Sequence, residues 1–105
     1  MDPERRRGPR YPFYAAAEIT EIQMEIVMTA RTSELSRYGC YMDMLNPLPL
    51  GTAVQIEITY QERTIAAQGR VIYSQPNMGM GVSFDEIRSS HAAILEGWLD
   101  QAAKV

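Results

Sequence analysis

Four arginines stand in the first ten residues, MDPERRRGPR, at positions 5, 6, 7 and 10. A guanidinium group forks onto phosphate oxygens or onto the O6 and N7 edge of guanine, and it also stacks on flat rings. Arg6 and Arg10 form an RxxxR spacing, with Arg5 immediately before it. By itself such a stretch is either a solvated basic terminus or an arm that closes on an anion. A second segment with usable groups is ELSRYG, residues 34–39. Glu34 brings a carboxylate, Ser36 a hydroxyl and Arg37 a cation, while Gly39 lets a ligand come close to the backbone. Taken alone, it reads equally well as an ordinary loop.

Nothing else in the chain resembles catalytic machinery. Hydrolysis or group transfer needs a nucleophile with a base, a metal set or a spaced pair of carboxylates. His91 is the one histidine, and no spacing pairs it with Cys40 or a serine, so a surface or helix-packing role is expected. Cys40 is the one cysteine, which excludes an intrachain disulfide and a cysteine-based metal cluster and suits a small buried hydrophobe. The glycines of MGMGVS match neither GxGxxG nor GxxxxGK[ST]. The expectation is a binding protein with no metal, no cofactor and no enzymatic activity. Tyr11, Tyr14, Tyr38 and Tyr41 flank the two segments, as packing residues or as platforms for a base.

Charge restricts the ligand. The net charge of −3 divides into +2 over residues 1–10 and −5 over the rest. A DNA or RNA binder needs a basic stripe over its folded face, which this acidic body lacks. A compact, local anion site is compatible with it. No apolar run approaches the roughly 20 residues needed to cross a bilayer, and the basic start leads into Tyr, Pro and Ala. A cytoplasmic protein is expected, without nucleic acid or membrane as partner.

The elements that must position these groups are mostly strands. At 105 residues the chain has room for one core. AVQIEITY sets Val54, Ile56, Ile58 and Tyr60 on one face, the period of two of a half-buried strand. After a tight turn at Gln61 and Glu62, RTIAAQGRVIYS puts Ile65, Ala67, Val71 and Tyr73 on one parity, which completes a hairpin. QPN at 75–77 is a turn, and Met78, Met80, Val82 and Phe84 then alternate with Gly79, Gly81 and Ser83, which assigns both methionines to the core. Glycines on one strand face point to a close backbone approach. FYAAAEITEI, MEIVMTART and GCYMDM supply the remaining strands. At the C-terminus Ile94, Leu95, Trp98, Leu99 and Ala102 make the stripe of an amphipathic helix, with Trp98 as packing anchor and Asp85 or Ser89 as cap. The result is an all-β domain, a small six-stranded antiparallel barrel with one C-terminal helix, spanning residues 14–105 behind a flexible basic arm, residues 1–13.

In this order and on this strand pattern, the two segments resemble the PilZ domain family. Its pattern is an RxxxR arm followed, two to three dozen residues later, by a [DN]xSxxG segment within a six-stranded barrel closed by a helix. The likeness extends through LGTAVQIEI, GRVIYS and GMGVSF, nearly the whole chain. It implies binding of the bacterial second messenger cyclic di-GMP, in signalling that controls motility or biofilm formation. By this likeness Arg6 and Arg10 hold phosphate and guanine, and Glu34, Ser36, Arg37 and Gly39 form the barrel side of the pocket. Arg5 fits members that take the ligand as an intercalated dimer. One position departs, since Glu34 stands where the family has Asp or Asn, carrying the acceptor one methylene farther out.

The expected mechanism is ordering of the arm by ligand, passed to a separate effector protein. The alternative is a degenerate PilZ-like adaptor that binds no nucleotide and acts by protein–protein interaction.

Overall fold

The computed structural model describes residues 9–104. Its most regular part is the hairpin that the alternation predicts. Strands β4 (Ala53–Tyr60) and β5 (Arg63–Gln75) pair without a slip from Ala53↔Arg70 to Tyr60↔Arg63. Val54, Ile56, Ile58, Ile65 and Ala67 are buried on its inner face. Gln61 and Glu62 both take positive φ, 50° and 67°, the two-residue turn whose twist matches that of the strands it joins.

Strands β1 (Tyr11–Glu21), β2 (Ile26–Ser36), β3 (Gly39–Asp43) and β6 (Gly79–Ile87) complete a closed antiparallel barrel in the order β1-β2-β3-β6-β5-β4. Closure removes most of the exposed edge of the sheet, and the inner faces fill with Ile19, Leu35, Met42, Ile56, Met80 and Val82. Phe13 is part of this core, so the body starts at Tyr11, earlier than the boundary after residue 13 expected from the blurred alternation of the alanine run.

Helix α1 (Ser89–Ala103) buries Leu95, Trp98 and Leu99, as its stripe predicts. Trp98 stacks on Phe13 at 5.4 Å between ring centres and meets Tyr60 edge-on at 5.9 Å, closing one end of the barrel. Neither Asp85 nor Ser89 caps it. Asp85 still belongs to β6, and the residue ahead of the helix is Arg88, which makes no side-chain cap bond. The helix start is fastened to the barrel instead. His91 Nδ1 accepts the backbone N–H of Ala66 at 2.9 Å, and the Arg88 N–H donates to the Ala66 carbonyl at 3.4 Å. Ala66 lies just past the end of the β5–β6 ladder at Ala67↔Ile87, where its backbone would otherwise need water. This is the helix-packing role for His91.

Met78 is a correction. It belongs to the turn before β6 and is 63% exposed, because the strand begins only at Gly79 after Asn77 adopts a φ of 68°.

The antiparallel order gives the barrel two ends. The helix end carries the start of β1, the β2–β3 and β4–β5 turns and α1, and the far end carries the β1–β2 and β5–β6 turns and the long β3–β4 connection.

Candidate functional site

Two bulges turn the wall of the barrel into a site. Between Thr32 and Glu34 the β2–β3 register slips by one residue, so Thr32 and Leu35 both face the core while Glu34 faces out. Between Pro12 and Ala15 the β1–β2 register slips as well. The buried Thr32 hydroxyl fastens that irregularity by donating to the Phe13 carbonyl at 2.7 Å and accepting the Ala15 N–H at 3.0 Å. The consequence is that Pro12 lies opposite Glu34 and Arg10 emerges beside it. Arg10 Nη1 stands 4.0 Å from Glu34 Oε1, with both side chains about half exposed.

A third slip, between Val71 and Tyr73, completes the arrangement. One lateral row now runs across five strands: Pro12 opposite Glu34, Glu34 opposite Tyr41, Tyr41 opposite Gly81, and Gly81 opposite Tyr73. Tyr73 was expected inside by parity; the slip turns it outward, 42% exposed. A Cβ on Gly81 would come within 2.7 Å of the Tyr73 ring, so the bare glycine is what lets this tyrosine lie across β6. The Tyr41 hydroxyl donates to Gln75 Oε1 at 2.5 Å, and desolvation, then Asp43 and Glu34, raise its pKa.

Along this row opens a cleft of about 240 Å³. Arg10 and Glu34 form its polar end, Tyr41, Ile72 and Tyr73 its apolar walls, and Ser36, Tyr38 and Gly39 its border toward the helix end. Cys40 contributes from below, and burial pushes its thiol up to about 12, so it stays a neutral, unreactive wall. The cleft can take a flat ring between tyrosines and place an anion against Arg10.

The β2–β3 turn is built by its own residues. Ser36 Oγ accepts the Tyr38 N–H at 3.1 Å and lies 3.4 Å from the Gly39 carbonyl, so this hydroxyl first shapes the turn. Gly39 was expected to admit a ligand to the backbone. A Cβ there would run into the Val82 carbonyl of β6, so the glycine is required by strand packing, while its backbone still borders the cleft.

Of the residues expected at the site, the structure brings Arg10, Glu34, Ser36 and Gly39 together. Arg37 turns away from the cleft. Its Nε and Nη2 fork onto Glu96 of α1 at 2.8 and 2.9 Å, and the bond to that carboxylate raises its pKa. Arg5 and Arg6 lie outside the described residues. Among the stacking candidates, Tyr38 and Tyr41 line the cleft, whereas Tyr14 lies under Arg31, whose Cζ is 5.3 Å from the ring centre. Sequence reasoning missed Ile72 and Tyr73. The available signal was the run Val71-Ile72, two large apolar residues in succession, which cannot both face inward in an unbroken strand.

Among the described residues no group of His, Cys, Asp and Glu could hold a metal, and no helix is long and apolar enough to cross a membrane. A closed six-stranded barrel carrying an outer cleft of arginine, carboxylate and tyrosine defines a binding module. A model of the PilZ domain matches residues 4–101, and the chain belongs to that family. PilZ domains are non-enzymatic binding or adaptor domains. Among solved structures, the PilZ domain of CeSA from a cellulose-synthesizing bacterium is 18% identical with a TM-score of 0.68, covering 92% of this chain and 97% of that one. The Bacillus subtilis inhibitor of motility (MotI/DgrA) is 14% identical with a TM-score of 0.70, covering 90% of this chain and 50% of that one. No curated protein matches the sequence.

Proposed function

We propose that this PilZ domain binds cyclic di-GMP in the outer-wall cleft, as a single ligand or an intercalated dimer, and reports it to a separate effector protein. The observation that carries the proposal is the lateral row that sets Arg10, the last residue of the RxxxR segment, beside Glu34 and in one cleft with Ser36 and Gly39. The Arg10–Glu34 ion pair is long and lies at the surface, so it binds these two side chains to each other only weakly. Tyr41 and Tyr73 offer ring faces to a guanine. At about 240 Å³ the cleft is smaller than most small-molecule sites, so a dinucleotide needs a second wall. Arg5 and Arg6, a few residues upstream of Arg10, would supply it, making the arm the part that responds to ligand and the barrel its platform. A cytoplasmic receptor that requires no cofactor and controls motility or biofilm formation is consistent with this chemistry.

Calorimetric titration of the ligand into wild type, Arg6→Ala, Arg10→Ala and Tyr73→Ala tests the proposal. Wild type should bind at micromolar concentrations. Loss of a charge-assisted contact in either arginine variant should weaken binding about ten- to a hundredfold. Equal binding by both arginine variants would place the ligand elsewhere.

The second reading is an adaptor that engages a protein without nucleotide. It is favoured by Glu34, longer than the family's Asp or Asn and already facing Arg10. Absence of binding by wild type, together with tight binding by Glu34→Asp, would identify the added methylene as the reason.

A further inference from the structure

We propose that Arg70 and Asp85 form a second guanine-reading pair at the edge of the cleft, across from Arg10 and Glu34. The pair rests on the nucleotide reading of the cleft and deepens it by naming what selects the base.

Ion pairs among the described residues are of two kinds. Arg31 meets Asp43 and Arg37 meets Glu96 at 2.8 Å, both hydrogen-bonded. Arg10–Glu34 and Arg70–Asp85 are longer, 4.0 and 3.9 Å, with all four side chains about half exposed. At 3.9 Å Arg70 Nε and Asp85 Oδ2 attract each other without sharing a hydrogen bond, so the donors of one are not spent on the acceptors of the other.

Sheet register puts this pair beside the cleft. Arg70 stands opposite Ser83, which lines the cleft, and Ile72, two residues along β5, lines it too. The ladder slips between Gln68 and Gly69, which leaves Asp85 as the extra residue of β6, between Phe84 opposite Gly69 and Glu86 opposite Gln68. The Arg70 guanidinium therefore leans over β6, the strand of Gly81 and Ser83, to meet Asp85. The lateral row from Ser36 of β2 through Gly39 and Ser83 ends at Arg70, three strand spacings or about 14 Å away. Long side chains reaching inward from both ends shorten the gap that two bases must cover. Tyr41 stands on a strand between the two pairs, and Tyr73 three residues from Arg70 along β5.

The chemistry fits guanine and opposes adenine. Guanine carries the acceptor O6 beside the donors N1–H and N2–H₂, so a guanidinium next to a carboxylate meets that edge with a donor for the acceptor and an acceptor for the donors. Adenine presents N6–H₂ and a bare N1 in the same places, which sets donor against donor and acceptor against acceptor. A ligand with two guanines then finds an arginine and a carboxylate at each end of the cleft. An exposed pair of this length adds little to stability, so variants of it test recognition and not folding.

Calorimetric titration of cyclic di-GMP and cyclic di-AMP into wild type, Arg10→Ala, Arg70→Ala, Asp85→Ala and Arg63→Ala tests the pair. Wild type should prefer cyclic di-GMP. Arg70→Ala and Asp85→Ala should each lower that preference at least about fivefold, through weaker binding of cyclic di-GMP, with unchanged urea unfolding midpoints. Arg63→Ala removes an exposed arginine from the groove beside α1 and should keep the wild-type preference. If Arg10→Ala weakens binding while Arg70→Ala and Asp85→Ala keep that preference, the cleft stands and the second pair is overturned. Equal weakening of both nucleotides by Arg70→Ala, or an equal loss of preference in Arg63→Ala, would also overturn it, as a phosphate contact or a net-charge effect. A wild type that binds neither nucleotide, or an Arg10→Ala variant that binds as wild type does, would remove the nucleotide reading of the cleft and this pair with it.

Discussion

The β4–β5 hairpin and the corner formed by β1, β2 and β3 belong to one barrel and share one core, yet they are built differently. In the hairpin the register never slips, and inward and outward residues alternate strictly. In the corner each of the two ladders slips once, and the slips bring Pro12 opposite Glu34 and Glu34 opposite Tyr41. A regular ladder repeats what it presents every second residue, which suits packing. A bulge changes which side chain faces out at one chosen point, and that is how groups distant in sequence come to face one cleft. Across the cleft, β5 leaves the regular register of its β4 side and slips against β6, which delivers Tyr73.

That contrast can be broken most severely at Gly39. Gly39→Ala drives a methyl group into the Val82 carbonyl, and neither strand can yield without opening the β3–β6 ladder. A loss of about 3 kcal/mol or more is expected in urea unfolding. Thr32→Val comes next. It keeps the shape of the side chain but leaves the Ala15 N–H and Phe13 carbonyl without their buried partner, at a cost of about 1–3 kcal/mol, and it should also shift the amide resonances of residues 10–15. If both variants were as stable as wild type, the bulges would not be held as described. The smallest effect belongs to the regular region. Glu62→Gly relieves a left-handed backbone at a turn that prefers glycine there, and should raise the unfolding free energy by about 0.5–1 kcal/mol without altering nucleotide binding.

Residues whose roles follow from a local pattern were legible. Val54, Ile56 and Ile58 declare an inner face by alternation, and Leu95, Trp98 and Leu99 by helical spacing, because burial of one face imposes its period on the chain. Of the two short motifs, the fold sets Arg10, Glu34, Ser36 and Gly39 around one opening. Tyr73, Met78 and Arg37 were not legible. Tyr73 depends on a slip against β6, Met78 on where a strand begins, and Arg37 on a carboxylate 59 residues away in α1. Tyr73 and Arg37 are decided by partners on other elements, and Met78 by the turn at Asn77 that sets where β6 begins.

Residue types and their periods were enough to determine six strands, a final helix, an acidic body and the groups able to meet an anion. Only the closed barrel decided which of those groups share a cleft, because a one-residue slip between neighbouring strands reverses the side a residue faces. That slip is selected by packing and hydrogen bonds across strands, such as those of Thr32, which no local pattern records.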